Sequence, residues 1–415
     1  SVQYVKLTAR DPIIARDGRP FGVGQGNRMR SLDWPLPSAV AGSFRTALVK
    51  SAGMDFTRNT PVELLRVEVA GVFPAVRDTL YLPAPIDCVW QKDQGLHREN
   101  QGLHRVQPVP LEDGEGCDLP DAALWPVRLT ERQAAQDFKP EAPPAWWPLT
   151  KLVEWLASPR DHYPETWFRH EPPFLKSPIR DARDHVCLDA ERGAAAESLI
   201  YSTIGLNLSR LPRFDGPADG RRFERFAEIA LALRVTTAAQ MEEHVLGLDD
   251  WHPLGGERRL VHWRHDAEGE GLWRCPEKLK SALEDADRVR MVLATPAIFD
   301  HGWRPGWLDE KTLTGKPLGD GPTLRLRGVC LPRWAAISGW AYAPHADDNG
   351  RRRVVPEHQP GPKAIRRMVP AGSVYFFERV EGSTRVLATN GWLKPVSDAP
   401  PDRRDGFGLA VWGIW

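Results

Sequence analysis

The chain has 415 residues, 55 basic and 55 acidic side chains, and a hydrophobic fraction of 41%. That length suffices for two domains or one large one, and a formal net charge of zero excludes a global field that would draw the molecule to nucleic acid or a membrane. Five cysteines, Cys88, Cys117, Cys187, Cys275 and Cys330, form no C-x-x-C pair, which argues against a disulfide framework and fits a reduced, cytosolic protein. The start "SVQYVKLTARD" has no apolar signal region, and no run of eighteen apolar residues occurs; an exported or membrane-spanning chain is therefore not expected.

In chain order, "VQYVKLTA" reads as a strand. It is followed by "ARDGRPFGVGQGNRMR" (Ala15–Arg30), with four glycines, four arginines and a single acid. No lysine is present for a phosphate-cradling P-loop. The spacing of Gly22, Gly24 and Gly26 is not the G-x-G-x-x-G that opens into a helix. The stretch is either a surface bend or a bare backbone that approaches a ligand. "SAVAGSFRTALVKSAG" then predicts a helix capped by Ser38, with Val40, Phe44 and Leu48 inward and Gly53 as its stop. Ser43, Arg45 and Thr46 fall off the apolar stripe. Gly42 suits close approach of either a sheet or a ligand.

"ELLRVEVAGVF" and "TLYLPA" predict strands, and "LTKLVEWLAS" a helix. Between them, residues 87–147 are rich in Pro and Gly and contain "QGLHRENQGLHR", two copies of one pentapeptide. A repeat that short buries no core, so an exposed, removable loop is expected over Lys92–Gly116. "LKSPIRDARDHVCLDAERGAAAESLIYS" (Leu175–Ser202) reads as two alternating arms around a turn.

Further on, "FAEIALALRV" predicts a strand, and "TTAAQMEEHVLGL" a helix with capping-box spacing at Thr237 and Gln240. "RLVHWR" and "GLWRC" read as strands, "PEKLKSALEDADR" as a helix opened by Pro276, and "RMVLATPAIF" as a closing strand. This β-α-β-β-α-β order defines a ferredoxin-like, RRM-like unit. The predicted fold class is α+β, with two tandem ferredoxin-like domains at 1–218 and 219–415. His262 and His265 in "HWRH" have no evident carboxylate or cysteine partner and read as surface histidines; His301 in "FDHGW" reads as packing. No metal site is expected. The seventeen tryptophans are expected mostly in cores and interfaces.

Six local sequences occur in order along the whole chain: "DPIIARDGRPFG", "WPLPSAVAGSFRTAL", "LGGERRLV", "TPAIFDHGW", "PAGSVYFFE" and "GFGLAVWGIW". Together they resemble the RAMP-superfamily subunit at the foot of type III-B CRISPR effector (Cmr) complexes, and the terminal glycine loop resembles that superfamily's signature. The segments 87–147 and "HADDNGRRRVVPEHQ" depart from it. The resemblance implies a non-catalytic protein without cofactor or metal that binds the 5′ tag of the guide RNA. It also implies partners, namely the large polymerase-like effector subunit and the first backbone RAMP subunit. A competing role within the superfamily is metal-independent guide-RNA processing.

Carried onto this sequence, the resemblance makes the opening loop an RNA contact, with Arg16, Gly18, Arg19, Arg28 and Arg30 on phosphate or sugar. Ser38, Gly42 and Arg45 would meet RNA at a helix start. The arms at 175–203 would form a thumb hairpin, with Lys176, Arg180 and Arg183 along phosphate and Ile200 or Tyr201 on a base. Gly255, Gly256, Arg258 and Arg259 would contact RNA, unless Glu257 merely orients an arginine. Gly406 and Gly408, around Phe407, either lie beside RNA or lock two strands.

Overall fold

A computed structural model describes residues 1–17, 27–54, 64–91, 102–121, 123–129, 140–214, 223–341 and 361–415. Gly18–Gly26, with Gly18 and Arg19, lies outside them.

Two large, mostly antiparallel sheets carry the chain. In the first, ten strands run in the order Phe226–Glu228, Arg210–Phe214, Phe174–Leu175, Trp146–Pro148, Thr79–Pro83, Glu68–Val76, Ala230–Thr236, Val2–Ala9, Leu260–His265 and Asp249–Pro253. The register sets Val5 opposite Leu233 and Leu7 opposite Leu231 on one side, and Leu7 opposite Trp263 on the other. All five of these side chains are essentially buried. The period-2 alternation of each strand thus places one apolar row toward the core.

The helix Pro37–Ser51 lies on that face. Val40, Phe44 and Leu48 point inward as expected, and the Phe44 ring meets Trp263 at 5.5 Å between centroids. Burying a side chain of that size stabilises by about 1.5–3 kcal/mol. Gly53 stops the helix at φ +64°, with Gly53 N donating to Lys50 O and Met54 N to Val49 O; these two bonds define a Schellman end. At the other end the expected Ser38 cap is not formed. Leu36 is the N-cap, Pro37 opens the helix, and no side chain caps it. Proline at the first position already removes one N–H that would need a partner. The Thr237 capping box is likewise absent, since the helix Ala239–Leu246 starts after Ala238 without a side-chain cap.

The second sheet runs Thr314–Gly315, Thr323–Cys330, Val374–Glu381, Arg288–Leu293, Leu409–Ile414 and Lys394–Pro395. The segment read as one βαββαβ unit is therefore divided. Ala230–Thr236 and Leu260–His265 flank Val2–Ala9 in the first sheet, whereas Arg288–Leu293 sits in the second. "GLWRC" is not a strand: Glu270–Trp273 forms a helical turn that buries Leu272 and Trp273. Local alternation could not say which partner strand each segment would find.

Residues 87–147 also differ from the expected loop. Cys88–Gln91, Gly102–Pro108, Val127–Leu129 and Pro140–Glu141 join His162–Pro164 in a further small sheet. Gly102–Arg105 of the second copy of the pentapeptide lie in it, with Leu103, His104 and Arg105 buried; Gln101 and the first copy, Gln94–Arg98, lie outside the described residues. Removal of Lys92–Gly116 would take out a central strand, so the expected tolerance to deletion is withdrawn. The polar composition concealed this because Arg105 finds partners inside the protein: its guanidinium covers the Trp155 ring at 4.0 Å and donates to Trp155 O at 2.8 Å.

That cluster also ties the sheets together. Arg290 of the second sheet and Asp87 form a fully buried ion pair, and Trp155 Nε1 donates to the same carboxylate at 3.0 Å. One continuous apolar core includes Leu7 and Trp263 of the first sheet with Phe376 and Leu409 of the second. No helix among the described residues is long and apolar enough to cross a membrane.

Candidate nucleic-acid interface

Five of the residues singled out above, Arg16, Ser38, Gly42, Arg45 and Gly255, line one cleft of ≈ 810 Å³. The helix Pro37–Ser51 forms one wall through Ser38, Gly42, Ser43 and Thr46. His252, Pro253 and Gly255 form a second, and Ala336–Gly339 with Lys363 and Arg366 a third. Asp402, Asp405 and Phe407 close the bottom, with Arg16, Asp17, Leu32 and Leu36 also lining the cleft.

Arg16 is held there by a ladder. It bridges Ser31, while Leu32 N donates to Ala15 O at 2.7 Å and Asp17 N to Arg30 O at 3.2 Å. The two ends of the glycine-rich stretch are thereby brought side by side. Arg16 and Arg30 are exposed. Beyond the ladder, Asn27–Arg28 pairs in parallel with Tyr201–Ser202, joining the stretch to the long hairpin.

Gly42 sits mid-helix on the cleft wall, and a Cβ built there would meet nothing within 4 Å. Glycine inside a helix costs about 1 kcal/mol relative to alanine, and no internal contact accounts for its use. The expected helix–sheet approach is thus excluded; the residue faces open space. Ser38 lines the same wall.

Arg45 is corrected. Its side chain is buried rather than available: Nη1 pairs with Asp405 at 2.5 Å, while Nε and Nη2 donate to Val67 O at 3.1 and 2.6 Å. It fastens the helix to the chain's last turn. Ser43 Oγ donates to Pro253 O at 2.7 Å and Thr46 Oγ1 to Gly42 O at 2.8 Å, so these hydroxyls too have internal acceptors.

The other glycines serve the protein. Gly255 adopts φ +75° and a Cβ there would meet Ile14 O at 2.4 Å; Gly256 N donates to that same oxygen at 3.0 Å. Gly406, at φ +90°, lies against Val69 O, and Gly408, at φ +80°, against Ser397. Of the two expectations for the terminal loop, locking of strands accounts for these contacts. Glu257 does orient an arginine, accepting from Arg259 Nη2 at 3.1 Å, whereas Arg258 is exposed and has no side-chain partner among the described residues. Glu257 and Arg258 both adopt φ near +50°, a left-handed conformation uncommon for such residues.

The hairpin expected at 175–203 consists of Arg180–Leu188 and Ala195–Leu206. The three cations expected to track phosphate are paired, whereas Arg192 in its turn has no side-chain partner among the described residues. Lys176 meets Glu224 at 2.8 Å, Arg180 meets Asp33, and Arg183 meets Asp181 at 2.6 Å. The bond from Asp181 raises the Arg183 pKa above its usual value. Tyr201 stacks on His185 at 4.9 Å and 13°, while Ile200 is 56% exposed.

Sequence reasoning missed the third wall. Arg366 forms a two-pronged bond with Asp402 at 2.6 and 2.9 Å; burial works against its charge, but this carboxylate prevails and raises its pKa. With Asp402 and Asp405 held by Arg366 and Arg45, the cleft keeps Arg16 and Lys363 without side-chain partners among the described residues. Burial, and next the charge of Lys50, lower the pKa of His252, which favours its neutral form. The signal for the third wall was a lack of acids: Cys330–Ala341 and Gly361–Gly372 contain neither Asp nor Glu.

One histidine reading also changes. His262 does have a carboxylate, with Nε2 at 2.5 Å from Asp249 Oδ1 across two paired strands, and it stacks on Trp251. It does not line the cleft. No cluster of metal-ligating side chains occurs among the described residues.

A cleft walled by a glycine-bearing helix and rimmed by unpaired cations suits a polyanion with flat groups. The whole-chain comparison gives the class: residues 5–415 match the family model described as CRISPR-associated protein (Cas_Cmr3), and the chain belongs to that family. It is a Cmr-family CRISPR subunit. No curated protein matches the chain. Solved structures similar to it include a chain of the type III-B Cmr-beta complex bound to cognate target RNA and AMPPnP (12% identity, TM-score 0.42, covering 90% of this chain and 86% of that one). A second Cmr-beta structure, bound to cognate target RNA, has 12% identity, a TM-score of 0.43 and the same coverage. A chain of the Csm3–Csm4 subcomplex of the type III-A interference complex follows at 8% identity and a TM-score of 0.29, covering 92% of this chain and 94% of that one.

Proposed function

We propose that this protein is a non-catalytic RNA-binding subunit of a type III-B CRISPR ribonucleoprotein effector. It holds the repeat-derived 5′ tag of the guide RNA and bridges the large polymerase-like subunit to the backbone RAMP subunit. The observation that carries the reading is the cleft wall at Gly42, open where a Cβ would stand, in a lining that also holds Arg16 and Lys363, which have no side-chain partners among the described residues. The exposed Arg30, paired through the ladder beside Arg16, and Arg258 in the neighbouring loop supply further cations to this reading, and Arg19 and Arg28 are proposed as RNA contacts from the sequence. A bare helix face admits a sugar-phosphate backbone at close range, and flanking cations replace its counterions.

The scaffold of this reading is a pair of ferredoxin-like units. The first comprises residues 2–76 and 230–265, and the second 288–414. In support, the four central strands of each follow the antiparallel order second, third, first, fourth. The second unit departs from the pattern in that residues 294–322 contain no helix.

The test measures affinity for tagged and untagged guide RNA across a salt series with wild type and R16A/K363A. Loss of two phosphate contacts on a single strand lowers the salt slope by about 1.4 and reduces the preference for the tag. Unchanged affinity and slope for both RNAs would overturn the reading. The competing role, guide processing by an acid–base histidine, has one candidate pair in His262 and Asp249. Cleavage of repeat RNA in EDTA by wild type but not by H262A would favour it.

A further inference from the structure

The third wall belongs to a two-stranded ribbon, Ala335–Ile337 paired with Arg366–Met368. Its inner face is anchored, since Ile337 and Met368 are buried with Ile298 and Phe407 in a small separate core. The register sets Ala336 opposite Arg367. Trp334 and Ile365 stand just before the two strands, two residues before Ala336 and Arg367, and so at opposite ends of the antiparallel ribbon. Trp334 is 51% exposed and Ile365 73% exposed.

The Arg367 guanidinium lies over the Trp334 ring, 5.1 Å from its centroid. Trp251, also exposed, is stacked on a histidine. Trp334 instead carries a cation, with Arg333 beside it exposed and without a side-chain partner among the described residues. No acidic residue occurs on either strand or its flanks from Cys330 to Ala341 and Gly361 to Gly372.

We propose that the exposed Trp334 ring is a stacking platform for one nucleobase of single-stranded RNA, with Arg367, which lies over the ring, and its chain neighbour Arg333 on the adjoining phosphates. The inference rests on the RNA reading of the cleft, with which the ribbon is continuous through Ala336. An exposed indole favours any flat partner. The surrounding cations without acids favour an anionic one, and a nucleotide is both. A cation over the indole also fixes the ring's orientation before a base arrives. A protein partner fits less well, because an apolar docking face would leave these guanidinium groups to be desolvated without carboxylates of their own.

The experiment uses the full chain and a 5′-labelled single-stranded RNA that carries the repeat-derived tag, together with versions made abasic at successive positions. W334A should weaken binding about 5- to 150-fold while leaving the salt slope as in wild type, because a stacked base involves no counterion release. W334F should keep most of the affinity. One abasic RNA should bind wild type as weakly as the intact RNA binds W334A, and should show no further loss with W334A.

Wild-type affinity in a folded W334A, alongside a loss in R16A/K363A, would overturn the platform and leave the cleft reading standing. Absence of RNA affinity in the wild type would overturn both. Unchanged RNA affinity with loss of a protein subunit from the reconstituted effector would make the face a protein interface and also overturn the proposal.

Discussion

Two ribbons of this molecule both carry arginines and differ in what those charges do. The hairpin Arg180–Leu206 displays cations whose carboxylate partners lie within reach, such as Asp181 for Arg183 and Asp33 for Arg180. Residues 330–341 and 361–372, which hold the ribbon of Ala335–Ile337 and Arg366–Met368, contain no acid, and the ion pair of Arg366 with Asp402 points into the cleft. A cation already bonded to a carboxylate must give up that bond before it meets a phosphate. The density of arginine along a strand is therefore a poor guide to an anion site; the inventory of partners is a better one.

The largest expected effect tests the buried counterpart of these surface cations. Arg45→Ala leaves Asp405 buried without its partner and should lower unfolding stability by about 3–5 kcal/mol, read from the midpoint of urea unfolding. Near-wild-type stability together with a large loss of RNA affinity would restore Arg45 as an RNA contact.

Next in size is a direct comparison of the ribbons. R333A/R367A should lower the salt slope of RNA binding by about 1.4 if both touch phosphate of a single strand, with the melting temperature unchanged. R180A/R183A should alter it much less. Equal slopes lost by the two double variants would show that the hairpin pairs open on binding, and the contrast between the ribbons would fail. Asp33→Asn with Asp181→Asn sharpens the same point: release of Arg180 and Arg183 should steepen the salt dependence.

The smallest effect concerns the wall between them. Gly42→Ala adds a methyl that meets nothing within 4 Å, so it should raise stability by up to about 1 kcal/mol and weaken RNA binding only a few-fold. A stabler protein with unchanged affinity would mean that the open wall is not where the backbone of the RNA runs.

Much of the element layout was legible because it is local. Strand Val2–Ala9 and helix Pro37–Ser51, with Val40, Phe44 and Leu48 inward and Gly53 as its stop, follow from periodicity and from glycine's freedom at positive φ. The in-order motifs likewise pointed to the family that the whole-chain match establishes. The cleft was partly legible: Arg16, Ser38, Gly42 and Gly255 were singled out, and the fold brings all four to its lining.

What only the tertiary structure decided has a common cause, the choice of distant partners. No local pattern states that Ala230–Thr236 pairs with Val2–Ala9 rather than with Arg288–Leu293, because both candidate partners offer the same backbone hydrogen bonds and an apolar row. The burial of "GLHRV" depended on Trp155, 50 residues beyond Arg105, supplying a ring and a carbonyl to a guanidinium. Arg45 reads as a surface residue until Asp405, 360 positions away, arrives beside it. Sequence by itself set the periods, the turns and the family. The fold determined which cations are spent on carboxylates and which, like Arg16, Lys363 and Arg333, are left facing solvent, because charge pairing depends on distances that close only when both sheets are in place.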